Sequence, residues 1–278
     1  MSRHLFNCLD DIESILARGA KVMLFSDFDG TLAPIAAEPA LAQLPSETRD
    51  LLHILSTELG MRVSIVSGRA LGDLREHMGL PELTYSGNHG LEVSGPGIAF
   101  VHPGGRSSIA DLAALGRSLV VALAPIEGVL IENKGPTLSV HFRLANPGCF
   151  REICDIVEAV IEPLRAQFHV MLGRKVFDVR PNVGWNKGDA IAWIRKAQDG
   201  QDAMPIYLGD DTTDEEAFAS LPGGITVRVN PAGASRAAYH LEDPVEAGKF
   251  LAWLAEVERG RQEHGGTRHA LVQGCSHL

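Results

Sequence analysis

"LFSDFDGTL", residues 24–32, places two carboxylates, Asp27 and Asp29, one residue apart directly behind an apolar run. The run "KVMLFSD" has the length and composition of a buried strand, and Gly30 and Thr31 follow the second acid at once. Taken alone, Asp29–Gly30 fits a hairpin turn, and two acids at a strand end fit simple solvation. In a parallel sheet, by contrast, ligands bind beyond the carboxyl ends of the strands. The surrounding pattern decides between these readings.

Short β-rich runs and helical patterns alternate around this segment. "PSETRDLLHILSTELG" reads as a helix with Ser46 as N-cap and Gly60 near its C-terminus, "MRVSIVSG" as a strand, "ALGDLREHMG" as a helix and "LTYSG" as a third strand. Far downstream, "NKGDAIAWIRKAQ" and "TTDEEAFASL" read as helices, and "MPIYLGD" and "GITVRVN" as strands. Such alternation predicts βαβ units and an α/β, Rossmann-like core built on a parallel sheet. Between about residues 94 and 180 the pattern changes. "GVLIENKG" pairs with "TLSVHFRL" and "FHVMLG" with "KVFDVRP", with helical patterns near 107–124 and 148–163. This predicts an inserted α+β unit, with turn-rich joints at "EVSGPG" and "RPNVG". The expected organisation is core at 1–93, insert at 94–180, core again at 181–258, and a frayed tail at 259–278.

The totals narrow the function classes. Of 278 residues, 35 are acidic and 25 are Lys or Arg, which argues against nucleic acid or an anionic membrane as a partner. An anionic small molecule stays possible, because a few basic groups can gather at one site. The four cysteines (Cys8, Cys149, Cys154 and Cys275) have no metal spacing and read as reduced thiols. No apolar run is long enough to span a bilayer, and the N-terminus lacks a secretory pattern. The expectation is a cytoplasmic monomer without a membrane anchor.

Three further clusters stand at strand ends or helix starts. Ser67, Gly68 and Arg69 close "VSIVSGR", where a hydroxyl and a backbone N–H can bind a phosphate oxygen or simply cap a helix. Lys187 opens a helix in "NKGD", where the helix dipole disfavours a cation unless an anion lies nearby. Asp210, Asp211 and Asp214 follow a strand in "LGDDTTDEE". Acids there suit a helix N-terminus, a reading that fits Asp214 better than Asp210 and Asp211. Carboxylates from two strand ends repel unless a cation lies between them, and a few hard oxygen ligands suit Mg²⁺. With a lysine, a hydroxyl and backbone N–H groups, they make a phosphate site.

In order, "DFDGTL", "SGR", the lysine of "NKGD" and "GDDTTDE" resemble the four motifs of haloacid-dehalogenase-like phosphohydrolases. The likeness extends to trehalose-6-phosphate phosphatases through "SGNHGLE" at 86–92, "ENKGPTLSVHFR" at 132–143, "VRPNVGWNKG" at 179–188 and "GDDTTDEEAF" at 209–218. It implies a haloacid-dehalogenase-like core with an inserted cap, acting on a small-molecule sugar phosphate. Asp27 would be the nucleophile and Asp29 the acid and base. Thr31, Ser67, Gly68 and Lys187 would bind phosphate. Mg²⁺ would be held by Asp27, Asp29 through its carbonyl, and Asp210, with support from Asp211 or Asp214. Arg69, Asn88, His89, Glu92, Glu132, Lys134, Asp178 and Arg180 would serve the sugar. His89 equally fits a buried turn histidine, and Glu132 and Lys134 equally fit a surface pair on one strand face. One departure is Asp178, where the family usually carries glutamate. It leaves room for another sugar phosphate, such as sucrose or glucosylglycerate phosphate. A catalytically silent sugar-phosphate sensor is the alternative from outside enzymology.

Overall fold

The computed structural model describes residues 2–18 and 21–273. In chain order the strands are β1 (Arg3–His4), β2 (Val22–Ser26), β3 (Arg62–Val66), β4 (Thr84–Gly87), β5 (Glu92–Gly95), β6 (Ile98–Val101), β7 (Leu130–Asn133), β8 (Leu138–His141), β9 (Phe168–Gly173), β10 (Val176–Pro181), β11 (Met204–Gly209), β12 (Ile225–Val229) and β13 (Tyr239–Leu241). The helices are α1 (Leu9–Leu16), α2 (Ser46–His53), α3 (Leu71–Met78), α4 (Pro103–Ser107), α5 (Ile109–Leu123), α6 (Phe150–Ile161), α7 (Lys187–Ala197), α8 (Asp214–Ser220) and α9 (Pro244–Gln273).

Among the described residues, nine strands form one sheet in the order β1-β13-β12-β11-β2-β3-β4-β5-β6. Pairing is parallel as far as β4, then antiparallel through β5 and β6. Every residue of β2 and β12 is buried, as expected of parallel strands covered on both faces. Alternation sends successive side chains to opposite layers. Leu24, Ile65, Ile206 and Leu208 enter one core with Phe250 and Leu254 of α9, whereas Met23, Phe25 and Tyr207 enter the other with Ile191 and Ile194 of α7. Each such fully buried side chain contributes about 1.5–3 kcal/mol.

The second sheet is antiparallel, in the order β7-β8-β10-β9. Leu138, Val140, Phe177 and Val179 turn to one face, where Leu112, Leu119, Ile153 and Val157 of α5 and α6 cover them. The intervening residues, Glu132, Ser139 and Asp178, occupy one cross-strand row on the opposite face. Both expected hairpins and both expected helices of this region are present.

Three local expectations are corrected. "EVSGPG" is not a joint: it turns the β5–β6 hairpin, and residues 94–101 extend the large sheet. Ser46 begins α2 without a side-chain cap bond, after Pro45. Helix α9 continues to Gln273, through residues expected to fray. The remainder of that expected tail, from 274, lies outside the described residues.

Topology brings distant motifs together. Strands β2 and β11 are neighbours with Ser26 opposite Leu208, so Asp27 and Asp210 emerge side by side. The Asp27 N–H donates to the Leu208 carbonyl at 2.9 Å, continuing the ladder by one residue. On the other flank Ile65 pairs with Ser26, so Ser67 emerges beside them. Helix α7 begins under a capping box. Asn186 accepts from the N–H groups of Gly188 and Asp189 at 2.7 and 3.2 Å, and Asp189 accepts from the Asn186 N–H at 3.0 Å. That cap fixes Lys187 in the first turn, so Asn186→Ala is expected to cost about 1 kcal/mol in urea unfolding. An unchanged denaturation midpoint would show that the cap does not anchor this helix.

Candidate active site

The strand-end acids enclose a buried lysine. Lys187 is 1% exposed, and its Nζ donates to Asp27 Oδ2 and to Asp214 Oδ1, both at 2.7 Å. Asp27 Oδ1 accepts from the Phe28 N–H at 2.6 Å. Asp214 also accepts from the Tyr207 hydroxyl at 2.6 Å and from the Asp211 N–H at 2.9 Å. Carboxylate oxygens of Asp27, Asp210 and Asp214 all lie within 4.8 Å of one another.

Small residues make this crowding possible. Gly30 has a φ of +78°, and a Cβ there would stand 2.2 Å from Asp210 Oδ2. At Gly209 a Cβ would stand 2.4 Å from the Asp214 carboxyl carbon. The glycines therefore let backbone approach the acids closely.

The electrostatics follow from burial. Desolvation pushes Asp27 up to about 7 despite the opposing pull of Lys187, and Asp214 adds to the rise. Burial, then Asp27 and Asp214, hold Asp210 well above the usual carboxylate range. Lys187 is raised: its burial opposes the charge, but Asp214 and Asp27 outweigh it. Three hard oxygen donors in one volume, two of them with their ionisation disfavoured, fit a small divalent cation.

Asp211 and Asp214, both expected to support an ion, are placed differently. Asp214 stands in the cluster, whereas Asp211 turns its Oδ1 to the Thr212 N–H at 2.8 Å. The Asp29 carboxylate faces Arg69, which donates from Nε at 2.6 Å and from Nη2 at 2.8 Å. Arg69 also bonds Asp73 and the Pro39 carbonyl, both at 2.7 Å, and lies 5.0 Å from the centre of the Phe28 ring. Its guanidinium is thus engaged by protein, although the residue lines the cleft. Thr31, expected on phosphate, is fully buried, with its hydroxyl 3.4 Å from Asp210 Oδ1.

The cleft between the sheets is lined by Asp27, Asp29, Ser67, Gly68, Lys187, Asp210 and Asp211 from below. His89, Glu132, Lys134 and Asp178 also line it. Thr31, Asn88, Glu92, Arg180 and Asp214 lie outside this lining. Asn88 donates to Glu92 at 2.6 Å and accepts from Thr137 at 2.6 Å, so the polar groups of Asn88 clasp the junction between the sheets. His89 sits in the left-handed region at φ 56° and packs on Gly68, where a Cβ would meet its ring at 2.3 Å. Burial and the nearby Arg180 push His89 well below its usual range. It is neutral, and Arg180 Nη2 donates to its Nε2 at 2.9 Å.

Asp178 does share the cleft with Glu132. It accepts from the Ser139 hydroxyl at 2.5 Å, with Lys134 at 3.6 Å and Arg180 at 3.7 Å. Burial alone would raise it, but Lys134, His89 and Arg180 hold it well below the carboxylate range. Lys134 also donates to the Gly68 carbonyl at 2.8 Å. Sequence reading missed four contributors: Tyr207, Arg174, and the pair His141 and Arg143 in the cleft wall. His141 was readable from alternation, since it sits two residues after Ser139 on the polar face and bonds Glu132 at 2.8 Å.

The raised carboxyl gives a signed expectation. In the native protein Asp27 keeps its proton up to about pH 7, whereas the unfolded chain releases it near 3.8. Between those values the native state binds more protons, so this group lowers stability as pH rises. Asp27→Asn in EDTA is therefore expected to gain melting temperature over the wild type between pH 5 and 7, by a few degrees, and to gain no more above. A difference that does not change with pH would refute the assignment.

Comparison with known proteins gives an independent line. A family model described as trehalose-phosphatase matches residues 25–239. A probable trehalose-phosphate phosphatase 4 of Oryza sativa subsp. japonica is 33% identical over 267 residues, covering 91% of this chain and 71% of the relative. Trehalose 6-phosphate phosphatase RA3 of Zea mays is 32% identical, covering 92% and 76%. The C-terminal domain of the C. albicans trehalose-6-phosphate phosphatase superposes with a TM-score of 0.77 at 23% identity, covering 88% of this chain and 96% of that one, a likeness of fold. Among the described residues no helix is long and apolar enough to cross a membrane. With its acidic motifs joined at adjacent strand ends and the family model reaching from β2 to β13, the chain belongs to the trehalose-phosphatase family.

Proposed function

We propose that this protein hydrolyses trehalose 6-phosphate to trehalose and phosphate through an aspartyl-phosphate on Asp27, with Mg²⁺ as cofactor. The observation that carries this reading is Lys187 bridging Asp27 and Asp214 beneath a sugar-sized row of polar side chains. Asp27, Asp210 and Asp214 would hold the cation, directly or through water. When bound, it supplies positive charge that offsets repulsion between nucleophile and phosphate.

Asp27 attacks phosphorus while Lys187 steadies its carboxylate and the phosphoryl oxygens. The Ser67 hydroxyl and the Gly68 loop complete the anion site. Asp29 gives a proton to the departing sugar oxygen and later takes one from the attacking water. It must first turn from Arg69, to which it is paired at 2.6 and 2.8 Å. The second sheet with α5 and α6, residues 94–180 in the sequence reading less the β5–β6 hairpin, acts as a cap that excludes water. Glu132 and Lys134 reach the distal sugar. The substrate is a small soluble molecule, and the enzyme works as a cytoplasmic monomer.

Phosphate release from trehalose 6-phosphate is expected to be rapid and to stop in EDTA. Lys187→Ala is expected to lower kcat about a hundred- to a thousand-fold. Glu132→Ala is expected to raise KM for trehalose 6-phosphate about tenfold or more, and to leave a small aryl phosphate unaffected. Asp178 motivates a second reading with another disaccharide phosphate. A higher kcat/KM on sucrose 6-phosphate than on trehalose 6-phosphate would establish it, and turnover no greater than that of Asp27→Asn would leave a sensor.

A further inference from the structure

Arg174 has no part in the reaction described above. It stands with Lys175 at the tip of the β9–β10 hairpin, on the cap side of the cleft. Its guanidinium crosses to the opposite wall, where Nη1 lies 3.0 Å from Asp210 Oδ2. The side chain is 32% exposed, whereas that of Asp210 is 2% exposed.

The backbone of this tip is tied down. The Phe142 N–H donates to the Lys175 carbonyl at 3.0 Å, and Arg143 Nη2 donates to the Arg174 carbonyl at 2.8 Å. At the base of the tip, a Cβ on Gly173 would lie 3.5 Å from the Asp211 carboxylate. The tip is thus held by its own sheet and lies against the strand ends.

Asp210 belongs to the acidic cluster, so Arg174 and a divalent cation compete for the same carboxylate. Like charges also repel across that distance. A guanidinium displaced from Asp210 remains at the mouth of the cluster, beside the place where Asp27 meets phosphorus. Its planar fork of donors matches the oxygens of a phosphoryl group.

We propose that Arg174 is a phosphate-contacting residue delivered by the cap. In the metal-free protein it is the counter-ion of Asp210, and with cation and substrate present it transfers to the phosphoryl oxygens. Cap placement then completes the anion site. The inference rests on the phosphatase reading for the anion but is independent of which sugar is attached.

Calorimetry on the full chain tests it with three probes: Mg²⁺ alone, inorganic phosphate at saturating Mg²⁺, and trehalose. Arg174→Ala is expected to bind Mg²⁺ several-fold more tightly and phosphate about tenfold more weakly, with trehalose affinity unchanged. Arg174→Lys is expected to recover part of the phosphate affinity, and equal melting temperatures would confirm intact folds. Unchanged Mg²⁺ affinity or unchanged phosphate affinity in Arg174→Ala overturns the proposal, as does a loss confined to trehalose. If trehalose 6-phosphate is not turned over while the Mg²⁺ and phosphate shifts persist, the substrate assignment fails and this inference stands.

Discussion

Three carboxylates and one ammonium share a volume with almost no water. Asp27, Asp210 and Asp214 lie within 4.8 Å of one another, and Lys187 reaches only two of them. Taking such charges out of water costs several kcal/mol each, and Lys187 between two of the acids with Arg174 at the rim of the third, 3.0 Å from Asp210 Oδ2, does not fully offset that cost. The deficit appears as the raised position of Asp27 and Asp210. The surrounding fold supplies the stability that tolerates it. Each central strand buries one set of side chains against α9 and the other against α7, so two apolar layers hold the strand ends in place. An incoming cation thus meets acids that are already assembled, and needs no reorganisation of the sheet.

Much of this was readable from the chain because parallel strands buried on both faces are written as unbroken apolar runs. The acids at 27 and 210 end those runs, and the lysine at 187 opens a helix where the dipole disfavours a cation, which makes them conspicuous. Other features depend on three-dimensional placement that spacing does not encode. Asp211 and Asp214 both lie in a strand-to-helix turn, and only the turn's geometry sends Asp214 inward and Asp211 to the Thr212 N–H. "EVSGPG" has the composition of a joint, but its Gly and Pro serve a hairpin that widens the sheet. Arg174 was visible only as a turn residue, because nothing local says that the hairpin leans over the carboxyl ends of another sheet.

The two walls of the cleft are coupled by a few buried contacts. Lys134, on the second sheet, donates to the carbonyl of Gly68, whose neighbour Ser67 lines the cleft with Asp27. Gly68 cannot carry a side chain because the His89 ring occupies that space. Arg180 in turn donates to the neutral His89. The two walls therefore share groups. Such coupling suits an enzyme that must distinguish a whole sugar phosphate from phosphate alone, since binding energy at the sugar can act on the reacting end.

Asp178 shows how one methylene can reassign a residue. Its oxygens lie among Ser139, Lys134, His89 and Arg180, inside the wall. A glutamate at this point would carry its carboxylate further toward the sugar and away from Ser139. The shorter side chain instead remains the anion that balances Lys134 and Arg180 in a buried setting. Removing one partner from such a group leaves an uncompensated charge, which costs about 3–5 kcal/mol. Glu132, the neighbour in the same cross-strand row beyond Ser139, also lines the cleft and is oriented by His141. The row therefore divides its charges, with Asp178 beside Lys134 and Arg180 and Glu132 beside His141.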